Sequence, residues 1–114
     1  MMDRTPAHLS DMLGFVQELQ ALISGLSMED FCGQRVLCLA VEKLFINVGE
    51  AAARIGADAE KFPAIPWRRI IGLRNILAHG YEQVAHEILY LTIAHELPSL
   101  EMSLRVALQS RGEQ

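Results

Sequence analysis

Four side chains that can act on a phosphate group lie within eight residues of one another: Arg74, Asn75, His79 and Tyr81. An arginine guanidinium stays charged at any relevant pH, and its planar set of donors suits a phosphate in the ground state or the transition state. A histidine ring titrates near neutrality and can move a proton in either direction. This combination indicates acid–base chemistry at a phosphate.

The surrounding segment is positively charged in a chain that is acidic overall. Residues 61–81 contain Lys61, Arg68, Arg69 and Arg74 and no acidic residue, whereas the whole chain has 10 Lys and Arg against 14 Asp and Glu, with a net charge of -4. The acidic balance excludes a polybasic coat for nucleic acid or membranes. A local basic cluster can nevertheless bind phosphates within an acidic protein.

The spacing of these residues limits how they cooperate. On a straight helix of about 100° per residue, Asn75 and His79 share a face, whereas Arg74 and His79 stand about 140° apart. Two arrangements bring the arginine and the histidine together. Either the helix end unwinds at Gly80 and redirects His79, or a second copy of the chain completes the site across a two-fold axis.

Spacing alone also fits structural roles for the same residues. His79 can cap a helix end, Asn75 can hydrogen-bond backbone, and Tyr81 can cover an edge of the core after a turn. Trp67 fits a core or interface anchor better than a platform on which a base stacks.

The elements that position the cluster are helices. Apolar residues recur at steps of three and four with polar residues between them, and no strand-like alternation appears. The pattern predicts helices over about 7–24, 27–55, 66–79 and 85–109. The long second helix contains Gly33 and Gly49 as mild weaknesses, Gly80 should end the third, and Pro98 either kinks the last helix or opens another one.

These elements predict one all-α domain over residues 1–114, a bundle of four or five helices. Hydrophobic residues make up 51% of the chain, which is enough for a core without a metal or disulfide and hints at a buried interface between subunits. No signal-like segment and no apolar run of about 20 residues occurs. We therefore expect a cytoplasmic protein with no membrane contact.

Other chemistries find little support in the sequence. The His-Glu pairs at 86–87 and 95–96 lack the second histidine of a metalloprotease motif, and a zinc site that joins these two histidines to His79 would need unusual spacings. Cys32 and Cys38 are six residues apart in an apolar helix, so we expect buried free thiols. There is no glycine-rich phosphate loop. We expect neither a metal nor a nucleotide cofactor.

Residues 65–81, with the sequence IPWRRIIGLRNILAHGY, resemble the signature of the HepT-like ribonuclease toxins of the HEPN superfamily. The motif of that family is an arginine, four residues, a histidine, one residue and a tyrosine. Arg74, His79 and Tyr81 fill all three positions.

Two further segments carry the resemblance beyond the motif. Residues 48–52 are similar to the Gly-Glu-Ala segment of the family, and residues 96–100 to its acidic-Leu-Pro segment. Glu50 lies in the first of these. It either pairs with Arg54 one turn along the helix or, as a family-like residue, braces Arg74.

The resemblance implies a metal-independent endoribonuclease that works as a homodimer, with the arginines and histidines of both copies lining one cleft. By position, Arg74 and His79 would be catalytic. The resemblance also implies a partner, a nucleotidyltransferase antitoxin of the MNT class, which silences the toxin by transferring AMP to the motif tyrosine, here Tyr81.

An RNA substrate is chemically consistent with this assignment, because its 2′-OH supplies the nucleophile. His79 would then act as general base or acid, Arg74 would stabilise the charge that develops on phosphorus, and Arg68 and Arg69 would hold the flanking backbone. The alternative is a non-catalytic HEPN-type helical module that binds a nucleotidyltransferase and helps form its substrate site. The complete Arg, His and Tyr set favours the enzyme.

Overall fold

The computed structural model describes residues 3–80 and 84–111, and within these ranges the chain forms six α-helices, one 3-10 helix and no strand. The all-α fold predicted from the sequence is confirmed. In chain order the helices are α1 (Thr5–Ile23), α2 (Met28–Cys32), α3 (Arg35–Ile55), a 3-10 helix (Gly56–Lys61), α4 (Trp67–His79), α5 (His86–His95) and α6 (Leu97–Arg111).

The core forms around α1, whose apolar stripe faces α3 on one side and α6 on the other. Leu9, Met12, Val16 and Leu19 follow each other at steps of three and four and are completely buried. Each such side chain contributes roughly 1.5–3 kcal/mol relative to an exposed position. The periodicity that predicted this helix therefore also identified its buried face.

The long second helix predicted over 27–55 is two helices in the structure. Gly33 closes α2 by donating its N–H to the carbonyl of Glu29, and Gln34 is extended, with φ -112° and ψ 94°, before α3 begins. The Ser27 hydroxyl caps α2 by accepting the backbone N–H of Asp30 at 3.0 Å. Phe31, in the short helix before this break, is completely buried in the core.

The C-terminal third forms two helices that meet near Pro98, which was one of the two predicted alternatives. α5 ends at His95, and α6 begins at Leu97 with the proline in its first turn, where a missing N–H costs nothing. None of the described helices is long and apolar enough to cross a membrane.

Helix α4 carries the motif and begins and ends where the sequence predicts. Trp67 is half-buried at its start and packs against the core, as expected from the sequence, and it donates its indole N–H to the carbonyl of Phe62 at 3.0 Å. At the other end Gly80 takes a left-handed conformation, with φ 67° and ψ 15°.

The contact between α3 and α4 depends on Gly49. A Cβ placed on this buried residue would lie 2.1 Å from the Cβ of Arg74 and 3.2 Å from the carbonyl oxygen of Ile70. No side chain fits there unless the helices move apart. The expectation that Gly49 only weakens its helix is therefore wrong: the missing side chain lets α4 lie directly against α3.

We predict that Gly49→Ala destabilises the fold by about 1–3 kcal/mol, because the added methyl group forces the two helices apart. Gly14→Ala is the matched control. Gly14 is also inside a helix, but a Cβ there meets nothing within 4 Å, so the change should stabilise by about 0.5–1 kcal/mol. Urea unfolding followed by circular dichroism measures both, and equal midpoints for the two variants would contradict the packing argument.

Candidate active site

Arg74 lies in the interface between α4 and α3, with its aliphatic stem over Gly49. One guanidinium nitrogen, Nη1, donates to the side-chain oxygen of Asn75 at 2.7 Å, and Nη2 lies 3.9 Å from a carboxylate oxygen of Glu50. The guanidinium group is therefore held from two sides. These contacts join three of the residues that the sequence selected.

One buried donor of Arg74 is left unsatisfied. Its Nε is buried and has no hydrogen-bond partner in the described part of the chain. Leaving a buried donor unpaired costs about 1–3 kcal/mol, so this nitrogen does not itself add to the stability of the fold.

In the structure Glu50 lies nearer to Arg74 than to Arg54, and its role as a brace for the candidate catalytic arginine stays a prediction. Glu50 pairs with Arg74 across the helix interface, whereas the described residues show no ion pair between Glu50 and Arg54 on the same helix. Both partners of the observed pair are about one-third exposed, so it orients the guanidinium more than it stabilises the fold.

The outer face of α4 carries a row of exposed residues formed by Arg68, Asn75 and His79. Seven residues separate the first two and four the last two, so all three lie on one side of the helix, and the row extends about 16 Å along the axis. The helix remains regular through His79, which excludes unwinding before this residue. Within one copy the side chains of Arg74 and His79 therefore leave the helix about 140° apart.

Arg68 and Arg69 have different surroundings although they are neighbours. Arg68 is exposed and forms no hydrogen bond or ion pair within the described ranges. Arg69 donates to the carboxylate of Glu96 at 2.5 Å and lies beside a small cavity of about 50 Å³ lined by Phe45 and Leu73 among others. Arg68 is therefore the arginine whose charge is available at the outer face.

Tyr81 lies outside the described residues, directly after Gly80.

Of the other sequence candidates, Cys38 is buried and its thiol contacts the carbonyl oxygen of Phe31 at 3.3 Å, while Cys32 is half-buried. Burial raises the pKa of both thiols, with nearby carboxylates adding to the effect. Both thiols are free, as expected from the sequence, but only Cys38 is fully buried, so the expectation of burial is wrong for Cys32.

One pair near the motif escaped the sequence analysis. His86, at the start of α5, places its Nε2 2.6 Å from a carboxylate oxygen of Glu42 in the middle of α3. Forty-four residues separate the two, so no local spacing predicts their contact. Nor do the described residues include a group of three His, Cys, Asp or Glu side chains able to hold a metal ion.

Comparison with known proteins adds to this geometry. The model of the family "Ribonuclease HepT-like" matches residues 12–107. "Putative RNase TTE0752" of Caldanaerobacter subterraneus is 33% identical over 108 residues, which cover 93% of this chain and 96% of the relative. "Putative RNase MJ1380" of Methanocaldococcus jannaschii is 28% identical over 101 residues, or 88% of this chain and 93% of the relative.

A third relative, "Probable ribonuclease HepT" of Thermococcus cleftensis, is 28% identical over 95 residues, which cover 82% of this chain and 86% of the relative. No solved structure gives a significant match.

Proposed function

Because this chain belongs to the HepT-like ribonuclease family, we propose that it is a metal-independent endoribonuclease toxin that cleaves RNA in the cytoplasm with Arg74 and His79. The observation that carries the proposal is the intact Arg-x4-His pair on α4. In that pair the arginine is held by Glu50 and Asn75, and the histidine is exposed at the helix end. The names of the relatives support a ribonuclease activity.

The reaction needs few groups from the protein. His79 takes the proton of a 2′-OH, the 2′ oxygen attacks the adjacent phosphorus, and the bond from phosphorus to the 5′ oxygen breaks, with a proton returned to that leaving oxygen. Acid–base help of this kind is worth roughly 10² to 10⁴ in rate. Arg74 stabilises the negative charge that develops on the phosphoryl oxygens. Arg68, which is exposed on the same helix, binds the RNA backbone that flanks the cleaved bond. Arg69 binds there as well when it is released from its ion pair with Glu96.

A homodimer would bring the two catalytic groups together. No residue of α4 is fully buried in the single chain, although the helix contains the apolar residues Ile71 and Ile76. Gly72 is half-exposed and has no side chain, so a second helix can approach closely there. An antiparallel two-fold contact centred near Ile76 places position 79 of one copy at the same height along the axis as position 74 of the other. Because Arg74 leaves α4 about 160° away from Ile76, on the side of α3, its guanidinium group would reach the histidine of the other copy past the edge of the helix. The apolar excess of the chain agrees with such an interface.

The proposed regulation acts on Tyr81, the residue after Gly80. In the proposed scheme an MNT-class nucleotidyltransferase antitoxin activates the phenol of Tyr81, whose oxygen attacks the α-phosphorus of ATP, and pyrophosphate leaves. The attached AMP brings a phosphate into the field of the α4 arginines and competes there with RNA.

We predict that the purified protein cleaves mixed RNA in excess chelator and that His79→Ala and Arg74→Ala each lower the rate at least about 100-fold. His95→Ala is the matched control, because this histidine also ends a helix but lies on α5. Gel separation of the fragments measures cleavage. A requirement for a divalent ion contradicts the mechanism, and a folded protein without any cleavage favours the non-catalytic module that binds a nucleotidyltransferase.

For assembly, we predict a dimer at micromolar concentration in sedimentation velocity and its dissociation by Ile76→Glu. The carboxylate would be buried without a partner in the proposed contact. Ile88→Glu introduces the same charge at another exposed isoleucine, on α5, and should leave the dimer intact. A monomeric wild type, or dissociation by the α5 variant alone, would contradict an interface on α4.

For regulation, we predict that co-expression with an MNT-class nucleotidyltransferase adds one or more AMP units to the peptide that contains Tyr81. Tyr81→Phe should abolish the modification, because the acceptor oxygen is lost. Tyr90→Phe, which removes the other phenol of the chain, should not. Mass spectrometry of the peptides measures the modification. If the nucleotidyltransferase stops RNA cleavage by the Tyr81→Phe variant without modifying it, the inhibition is steric masking instead.

A further inference from the structure

A polar groove opens where the motif helix ends. It has a volume of about 630 Å³ and lies between the first half of α3, the end of α4 and the start of α5. Gly80, the residue after His79, lines it. Any RNA positioned for cleavage at His79 therefore has this groove next to it.

The groove combines apolar side chains with one oriented carboxylate. Leu39 and Leu77 line it from α3 and α4, and both are at least partly exposed. Between these helices and α5, Glu42 has one oxygen, Oε2, fixed by His86 at 2.6 Å. The other oxygen, Oε1, accepts no hydrogen bond within the described ranges, and about one-third of the Glu42 side chain is exposed. This group can accept hydrogen bonds from a ligand without first being released.

The sign of the charge determines which part of RNA fits. Glu42 and Glu87 line the groove together with a single cation, Arg35, so phosphate groups are disfavoured there. A nucleobase is neutral, its faces pack on apolar side chains, and its edge donates hydrogen bonds to a carboxylate. Single-stranded RNA is read in this manner, by packing of the base faces and by hydrogen bonds to the Watson–Crick edge.

The geometry points to Glu42, held in place by His86, as the residue that selects a guanine next to the cleaved linkage; this inference rests on the ribonuclease function proposed above. Guanine has two adjacent N–H donors on its Watson–Crick edge, N1–H and the 2-amino group, which match the two oxygens of a carboxylate. Oε2 can accept one of them in addition to the His86 bond, because each carboxylate oxygen has two acceptor sites. Uracil presents carbonyl oxygens on either side of its single donor and is repelled.

The test compares oligoribonucleotides that differ only in one guanine, replaced by inosine, which lacks the 2-amino group, or by uracil. We expect the wild type to cleave beside guanine at least about tenfold faster than beside inosine or uracil, as kcat/KM. Glu42→Gln should lose most of this discrimination, since its amide has one acceptor instead of two and no longer repels the carbonyl oxygens of uracil. Glu87→Gln removes a charge from the same groove and should keep the preference.

A binding measurement separates this inference from the proposed function. The His79→Ala variant is titrated with the same oligonucleotides, and fluorescence anisotropy gives the affinities without cleavage. Guanine-selective binding that disappears in the Glu42→Gln, His79→Ala double variant supports the groove even if the wild type cuts no RNA. Cleavage or binding that is equal for guanine, inosine and uracil, or a preference unchanged by Glu42→Gln in a normally folded protein, overturns it.

Discussion

The direct contact of α4 with α3 at Gly49 is the constraint on which the functional part of this molecule depends. Because Gly49 has no side chain, the stem of Arg74 and the backbone at Ile70 lie against the α3 backbone. The contact fixes the height of α4 along α3. It thereby determines that Arg74 meets Glu50 and that the end of α4 opens beside Glu42.

The same contact explains why α4 can be a functional helix without belonging to the core. The core is built by α1 with α3 and α6, and it is complete without a fully buried residue from α4. Helix α4 packs on this core with half-buried apolar side chains such as Ile70, Leu73 and Leu77, and the Gly49 contact, the Arg69–Glu96 ion pair and the Trp67 hydrogen bond add to this attachment. Its outer face is therefore under little packing constraint, and exposed polar groups can occupy it without a cost in buried area.

Local features of the fold are well predicted from the sequence, and long-range ones are not. The ends of α4 follow from Pro66 and Gly80, since a proline starts a helix at no cost and a glycine leaves it in the left-handed conformation. The break at Gly33 was missed because one glycine within a helical pattern is ordinarily tolerated. Whether the helix continues there depends on the place of Phe31 in the core, where its ring packs 5.8 Å from that of Tyr90, nearly sixty residues away.

The candidate site divides in the same way. Arg74 and His79 could be selected as candidates from the family-like motif, because both lie on one element, whereas spacing alone also fits structural roles. The choice of Arg74 over Arg54 as the partner of Glu50 depends on how α3 and α4 pack, and the Glu42–His86 pair depends on the return of α5 to α3. The two glycines that a sequence pattern treats alike, Gly33 and Gly49, have opposite effects, since one ends a helix and the other joins two.

Positively and negatively charged side chains lie on different sides of the end of α4, and this separation matches the two chemically different parts of a nucleic acid strand. The outer row presents Arg68 and the His79 ring, whereas the groove beyond Gly80 presents Glu42 and Glu87. A nucleic acid strand has the same division, with anionic phosphates along one edge and neutral bases along the other. In the proposed complex, a strand whose phosphates follow the outer row of Arg68, Asn75 and His79 would direct its bases away from that row, and one base that enters the acidic groove would fix the register of the strand. Binding affinity from the backbone and selectivity from the base would then come from opposite sides of one helix end, so each can change without the other.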